Sequence, residues 1–167
     1  MVAERVPQRR WLVLLAMLLI GLLVAGVFSL WSLANASRWT EHSSRVRLAV
    51  AQLLKSVTDA ETGARGYVVA GEPAFLDVYE TSAVAWKAEL DDLRMLVADN
   101  SAQQQRVDRL GKVIGARFEL LSNLRSRFNS GARGTALTSV MLDGKRVMDE
   151  ARGYFSEIES EEVRLDE

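Results

Sequence analysis

The side chains with chemistry to offer are few. Glu61, Arg65 and Tyr67 fall together in the stretch Asp59 to Tyr79, DAETGARGYVVAGEPAFLDVY, while Arg117 and the single histidine, His42, stand alone. Glu61 precedes Arg65 by four residues, the favourable order for an ion pair along a helix, worth about 0.2–0.5 kcal/mol. Read plainly, that is a solvated surface pair. Read functionally, Glu61, Arg65 and Tyr67 form part of a ligand or partner surface, and Gly63 and Gly66 beside them admit a close backbone or ligand. Arg117 occupies a position where an apolar residue is due. Snorkelling at the edge of a bundle is the ordinary behaviour of such an arginine, and an internal ligand for an anion is the alternative. His42 reads as a solvated residue near a membrane boundary.

Metal and cofactor chemistry find no donor set. One histidine and no cysteine can build neither a zinc site nor the paired Glu-x-x-His motifs of a di-iron bundle. The acidic group Glu157, Glu159, Glu161 and Glu162 reads as a solvated face that would attract divalent cations only loosely. Neither a glycine-rich phosphate loop, a nucleophile elbow nor a kinase signature is present. No catalytic residue, metal or cofactor is assigned.

The elements that must position these residues are helices. Apolar or small residues recur at Trp39, Val46, Val50, Leu53, Val57, Ala60, Ala64 and Tyr67, alternating steps of four and three from Val46 onward, as a bundle seam does. Gly71 suits a left-handed helix stop and Pro73 the first turn of a second helix, so Ala70 to Pro73 is a hairpin tip. Gly63 and Gly66 lie inside the first helix, at about 1 kcal/mol each relative to alanine. A second helix carries Leu76, Tyr79, Ala83, Trp86, Leu90, Leu93 and Val97, and Asp99 to Ser101 brings capping residues. The third carries Val107, Leu110, Ile114, Leu121, Leu124 and Phe128, with Phe118 able to fill in beside Arg117. Gly111 and Gly115 have the spacing of a close helix approach, but that motif draws its strength from apolar membrane helices, and in a sequence this polar ordinary packing is the preferred reading. After a loop at 129–134, the fourth helix runs through Leu137, Val140, Gly144, Val147, Ala151, Tyr154 and Ile158. Short connections predict an all-α, up-down-up-down four-helix bundle with long first and fourth helices.

From Trp11 to Ser37 no residue is charged. Such a run exceeds the ~20 apolar residues that cross a ~30 Å hydrocarbon core. It is also longer than the ~7–15 residues of a secretory signal, although Ala34-Asn35-Ala36 before Ser37 resembles a cleavage site and leaves a cleaved leader as the alternative. Trp11, Trp31 and Trp39 suit the two interfaces. The expected organisation is a cytoplasmic N-terminus over 1–10, a transmembrane helix over 11–37 and an extracytoplasmic domain over 38–167. Arg9 and Arg10 abut the membrane and set that orientation, though Arg5, Arg9 and Arg10 on one side nearly balance Arg38, Arg45 and Arg47 on the other. Residues 38–167 hold 18 basic and 21 acidic side chains, which argues against a nucleic-acid surface. If the first helix leaves the bilayer, Gly71 lies roughly 50 Å from it at 1.5 Å per residue, and the acidic foot of helix four returns to meet the basic foot of helix one.

The run Asp59 to Tyr67, followed by Gly71-Glu72, Phe75-Leu76 and Tyr79, resembles the signature of the third class of CHASE domain, with Val68 and Val69 where leucines are typical. Its signature positions here are Glu61, Thr62, Gly63, Arg65, Gly66, Tyr67, Gly71 and Tyr79. The resemblance implies an extracytoplasmic sensory module of a bacterial receptor, set between two membrane helices and attached to a histidine kinase, a cyclase or a chemoreceptor signalling part. It supplies no ligand. The expectation is a membrane-anchored sensor domain in the inner membrane, whose partners are the lipid bilayer, a second copy in a homodimer and an extracytoplasmic ligand or protein. A structural or dimerisation bundle without a ligand is the rival.

Overall fold

The computed structural model describes residues 5–166, apart from the side chains of 5–9, 33–40 and 166. The expectations placed on Arg5, Arg9, Arg38, Trp39 and the cleavage-like Ala34 to Ser37 concern side chains outside that description. Four helices account for the fold: α1 (Arg5–Ala70), α2 (Ala74–Leu96), α3 (Ser101–Asn129) and α4 (Thr135–Asp166). The chain divides into two compact units, Met1–Glu41 and His42–Glu167. In the first, Arg10–Ser32 forms a helix long and apolar enough to cross a membrane. Its large side chains, among them Trp11, Leu23, Phe28 and Trp31, are exposed, as a helix surrounded by lipid requires.

In the second unit the core follows the seams. Val46, Val50, Leu53, Val57, Ala60 and Ala64 of α1 are buried with Leu90 and Leu93 of α2, Val107, Leu110, Ile114, Phe118 and Leu121 of α3, and Met148, Ala151, Phe155 and Ile158 of α4. The fourth helix departs from expectation by one position. Met148 and Phe155 take the core places while Val147 and Tyr154 are half-buried. Steps of three and four alone cannot choose between adjacent apolar neighbours. A second, smaller cluster of Leu124, Leu137 and Val140, with Val68, Leu120, Phe128, Ala132 and Met141 against it, closes the end of the bundle near the hairpin tip.

The tip forms as its sequence dictates. Gly71 has φ +74°, the left-handed stop that glycine adopts without steric cost, and its N–H donates to the Tyr67 carbonyl at 2.8 Å. Pro73 stands immediately before α2 as its N-cap. The cost of Gly63 is offset by contact. A Cβ there would lie 2.7 Å from the Phe75 carbonyl oxygen and 2.9 Å from the Tyr79 nitrogen, so α1 and α2 meet backbone to backbone. Asn100 caps α3 by accepting from the N–H groups of Ala102 and Gln103, both at 3.1 Å.

Candidate functional site

Arg117 is the unexpected residue of the bundle. It does not snorkel: it is 4% exposed and faces inward from α3. Nη2 lies 3.3 Å from Oε1 of Glu61 on α1, and the same oxygen accepts from Nη1 of Arg65 at 3.0 Å. On its other side the guanidinium rests against α4 at Gly144, where a Cβ would come 2.4 Å from Nη1 and 3.1 Å from Cζ. The space exists because residue 144 has no side chain. Phe118, expected to take the place of Arg117 in the core, is buried too and stacks on Trp86 with ring centroids 5.2 Å apart. Both neighbours therefore point inward.

The electrostatics of this arrangement are unbalanced. At an effective dielectric constant near 20, an ion pair at about 4 Å gains about 4 kcal/mol, and removing a charge from water costs several kcal/mol per ion. For Arg117 the second effect wins. Burial lowers its pKa below the ordinary guanidinium value, attraction to Glu61 offsets this in part, and Arg65 and Arg152 push in the same direction as burial. The guanidinium nonetheless stays charged. Its Nε is buried with no hydrogen-bond partner among the described residues. A buried donor left in that state typically costs about 1–3 kcal/mol.

Beside Arg117 opens a cavity of about 410 Å³ between α1, α3 and α4. Its polar lining is Glu61, Arg65, Arg117, Lys145 and Arg152, four cations against one carboxylate. Leu120, Leu124, Val140, Met141 and Met148 supply an apolar wall where the two hydrophobic clusters meet. Asp149 sits outside that lining, held by Lys145 and, at 3.3 Å, by Arg152. Hydrogen bonding from Lys145 is the main cause that keeps the Asp149 carboxyl below its ordinary pKa.

The residues singled out from the sequence separate into two groups. Glu61 and Arg65 belong to the cavity, with Arg65 largely exposed (54%) and Glu61 turned toward Arg117 (15%). The others hold the tip together. Tyr67 donates to Oδ1 of Asn129 at 2.9 Å and meets the Phe128 ring edge-on at 5.3 Å. Gly66 lies under the Phe75 ring, 2.4 Å from where a Cβ would sit. Tyr79 is buried beneath the Arg125 guanidinium, 4.9 Å from its ring centroid. Thr62 is exposed. Gly111 makes a close approach to Leu90 of α2 where ordinary packing was the expectation, whereas Gly115 is in ordinary contact with Trp86. At the other end of the bundle the acidic foot of α4 finds described partners on α3 and on α4 itself. Glu161 pairs with Arg164 and Arg106, and Glu162, 2% exposed, accepts from Nε2 of Gln103 at 2.8 Å. Among the described residues no group of acids and histidines is arranged to hold a metal ion.

Residues 36–167 match the CHASE3 domain. The chain belongs to the CHASE3 family. It is thereby an extracytoplasmic sensory domain of a signalling receptor, which is what the signature at Glu61 to Tyr79 implies. The crystal structure of the Rhodopseudomonas palustris histidine kinase HK9 sensor domain has the same fold, with a TM-score of 0.64 at 23% identity over 73% of this chain and 96% of that one. No curated protein matches the chain. For this CHASE3 domain, Arg117, Gly144, Lys145 and Arg152 are the site residues the sequence did not assign. The signal for Arg117 was visible as a charge on a seam and Gly144 lay in phase on the fourth helix, whereas Lys145 and Arg152 look like ordinary surface residues until α4 is packed against α3.

Proposed function

We propose that this CHASE3 domain reports a stimulus met outside the cytoplasm by changing how α1 packs against α4. In this reading residues 1–10 are cytoplasmic, 11–37 cross the inner membrane and 38–167 form the sensory bundle, most simply as a homodimer. The output is of the histidine kinase or cyclase kind, in keeping with the fold shared with a histidine kinase sensor. The bundle itself is a receiver rather than a catalyst. Glu61 and Arg65 serve the ligand or partner surface. Gly63, Gly66, Tyr67, Gly71 and Tyr79 fix the register of the tip, with Thr62 exposed among them.

The observation that carries this is the position of Arg117. It reaches one neighbour through Glu61 and lies on the other at Gly144, so a change at its guanidinium is felt by α1 and α4 together. A stimulus shifts such an equilibrium only by preferring one packing over the other. The absence of cysteine from the chain allows a clean test, with spin labels at the exposed Ser44 on α1 and Val163 on α4 of the full chain in lipid nanodiscs. Glu61→Gln is expected to move or broaden the distance distribution between them. An unchanged distribution at an unchanged melting temperature would favour a rigid spacer or dimerisation stalk instead.

A further inference from the structure

We infer that the cavity beside Arg117 is a binding site for a small organic anion, a carboxylate carried on an apolar body. Resting on the sensory reading above, this names the class of stimulus. Three features converge. The cavity is built by three helices, and about 410 Å³ is room for a molecule of several non-hydrogen atoms. Four of its five charged lining residues are cations. Arg117, the most buried of them, has an Nε without a described partner and shares the single lining carboxylate with Arg65.

A guanidinium is planar and offers a forked set of donors that matches a carboxylate two bonds at a time. Arg117 has spent one edge on one oxygen of Glu61. Arg65 and Arg152 stand at the exposed rim on α1 and α4, where they can draw an anion in and then lie over it. Lys145 and Arg152 are held by Asp149, which places them beside the cavity without closing it. The opposite wall, Leu120, Leu124, Val140, Met141 and Met148, has no polar side chain to offer. An inorganic anion would leave that wall facing water. An aliphatic or ring acid would cover it, at about 25 cal/mol per Å² of apolar surface removed from water. Bound across the cavity, such an acid touches α1, α3 and α4 at once, the helices whose packing the proposed signal changes.

The test uses the full chain in nanodiscs with hexanoate and cyclohexanecarboxylate as probes, hexanamide as the uncharged counterpart and inorganic phosphate as the bare anion. Binding is followed by calorimetry. At least one acid is expected to bind at least tenfold more tightly than hexanamide and phosphate. Arg117→Met should weaken it at least tenfold, and Arg152→Gln, an exposed change that leaves the core intact, several-fold. Because Arg117→Met strands Glu61, Gly144→Ala provides a second route: its methyl group displaces the guanidinium without removing it, and should also weaken the acid while the bundle stays folded. The inference is overturned if neither acid binds, if hexanamide or phosphate binds as well as the acids, or if Arg152→Gln and Gly144→Ala leave affinity unchanged. An acid that binds but leaves the Ser44 to Val163 distance unmoved would refute the signalling motion and leave the site standing. A distance that responds to Glu61→Gln in a protein that binds neither acid would refute the site and leave the motion standing.

Discussion

Two buried polar side chains lie on α3, Gln103 and Arg117, and the protein satisfies them differently. They are two heptads apart, so they fall on the same stripe of the helix. Gln103 is completely buried, and its amide is fully engaged. Nε2 donates to the Ile158 carbonyl at 3.2 Å and to Glu162 at 2.8 Å, while Oε1 accepts from Arg106 at 3.1 Å. The deficit there is a single oxygen, Oε2 of Glu162. Arg117 has a shared carboxylate on one side, an orphan Nε and an open cavity. A network whose members are satisfied specifies one packing, and one left incomplete is costly. The difference separates a position that fixes helix register from one that holds interaction capacity in reserve.

The strongest way to break this comparison is to remove the one described anion at Arg117. Glu61→Ala leaves a buried guanidinium uncompensated, for which about 3 kcal/mol of destabilisation is expected, read by chemical denaturation of the full chain. A loss below about 1 kcal/mol, the range of an exposed pair, would show that Arg117 is not committed to its buried place. The Gln103 site should behave as a closed unit. Gln103→Leu strands the Glu162 carboxylate and costs about 2 kcal/mol, while Gln103→Leu with Glu162→Leu recovers most of it. A double variant as unstable as the single one would contradict the idea of a self-contained network.

The smallest effect concerns the acid limb, where the two regions should look alike. Asp149 beside the cavity and Glu161 beside Gln103 both have lowered pKa values, chiefly through hydrogen bonds from Lys145 and Arg164. A depressed folded-state pKa adds stability above the unfolded value, and that stability is lost as pH falls through the folded one. The window is therefore below the ordinary values of 3.8 for Asp149 and 4.5 for Glu161. Asp149→Asn and Glu161→Gln should each flatten the acid side of the melting curve slightly and to a similar degree. A steep change from Asp149→Asn alone would mean that its exposed pairs with Lys145 and Arg152 hold the cavity together.

Much of the fold could be read from the chain because it rests on local rules. The α1 seam from Val46 to Ala64 is buried throughout, and the Gly71 stop and the start of α2 after Pro73 follow from backbone preference. Adjacent apolar pairs were harder: Met148 and Phe155 replace Val147 and Tyr154 in the core, since period alone does not choose between neighbours. The candidate site was only half legible. Glu61 and Arg65 stand out by their spacing, but the fate of Arg117 depends on what faces it. Periodicity places it on a seam and says nothing of the glycine on another helix that gives its guanidinium room. Glu162 eluded the sequence for the same reason. It reads as one of a run of solvated acids until Gln103, far away in the chain, closes over it.

Gly144 has a mechanical consequence as well. Glycine inside a helix gives up about 1 kcal/mol relative to alanine because its backbone retains more freedom to lose. The turn of α4 that accommodates the guanidinium is therefore, with the turn at Gly153, one of the two that resist bending least. Whatever pushes on Arg117 meets α4 at a compliant point.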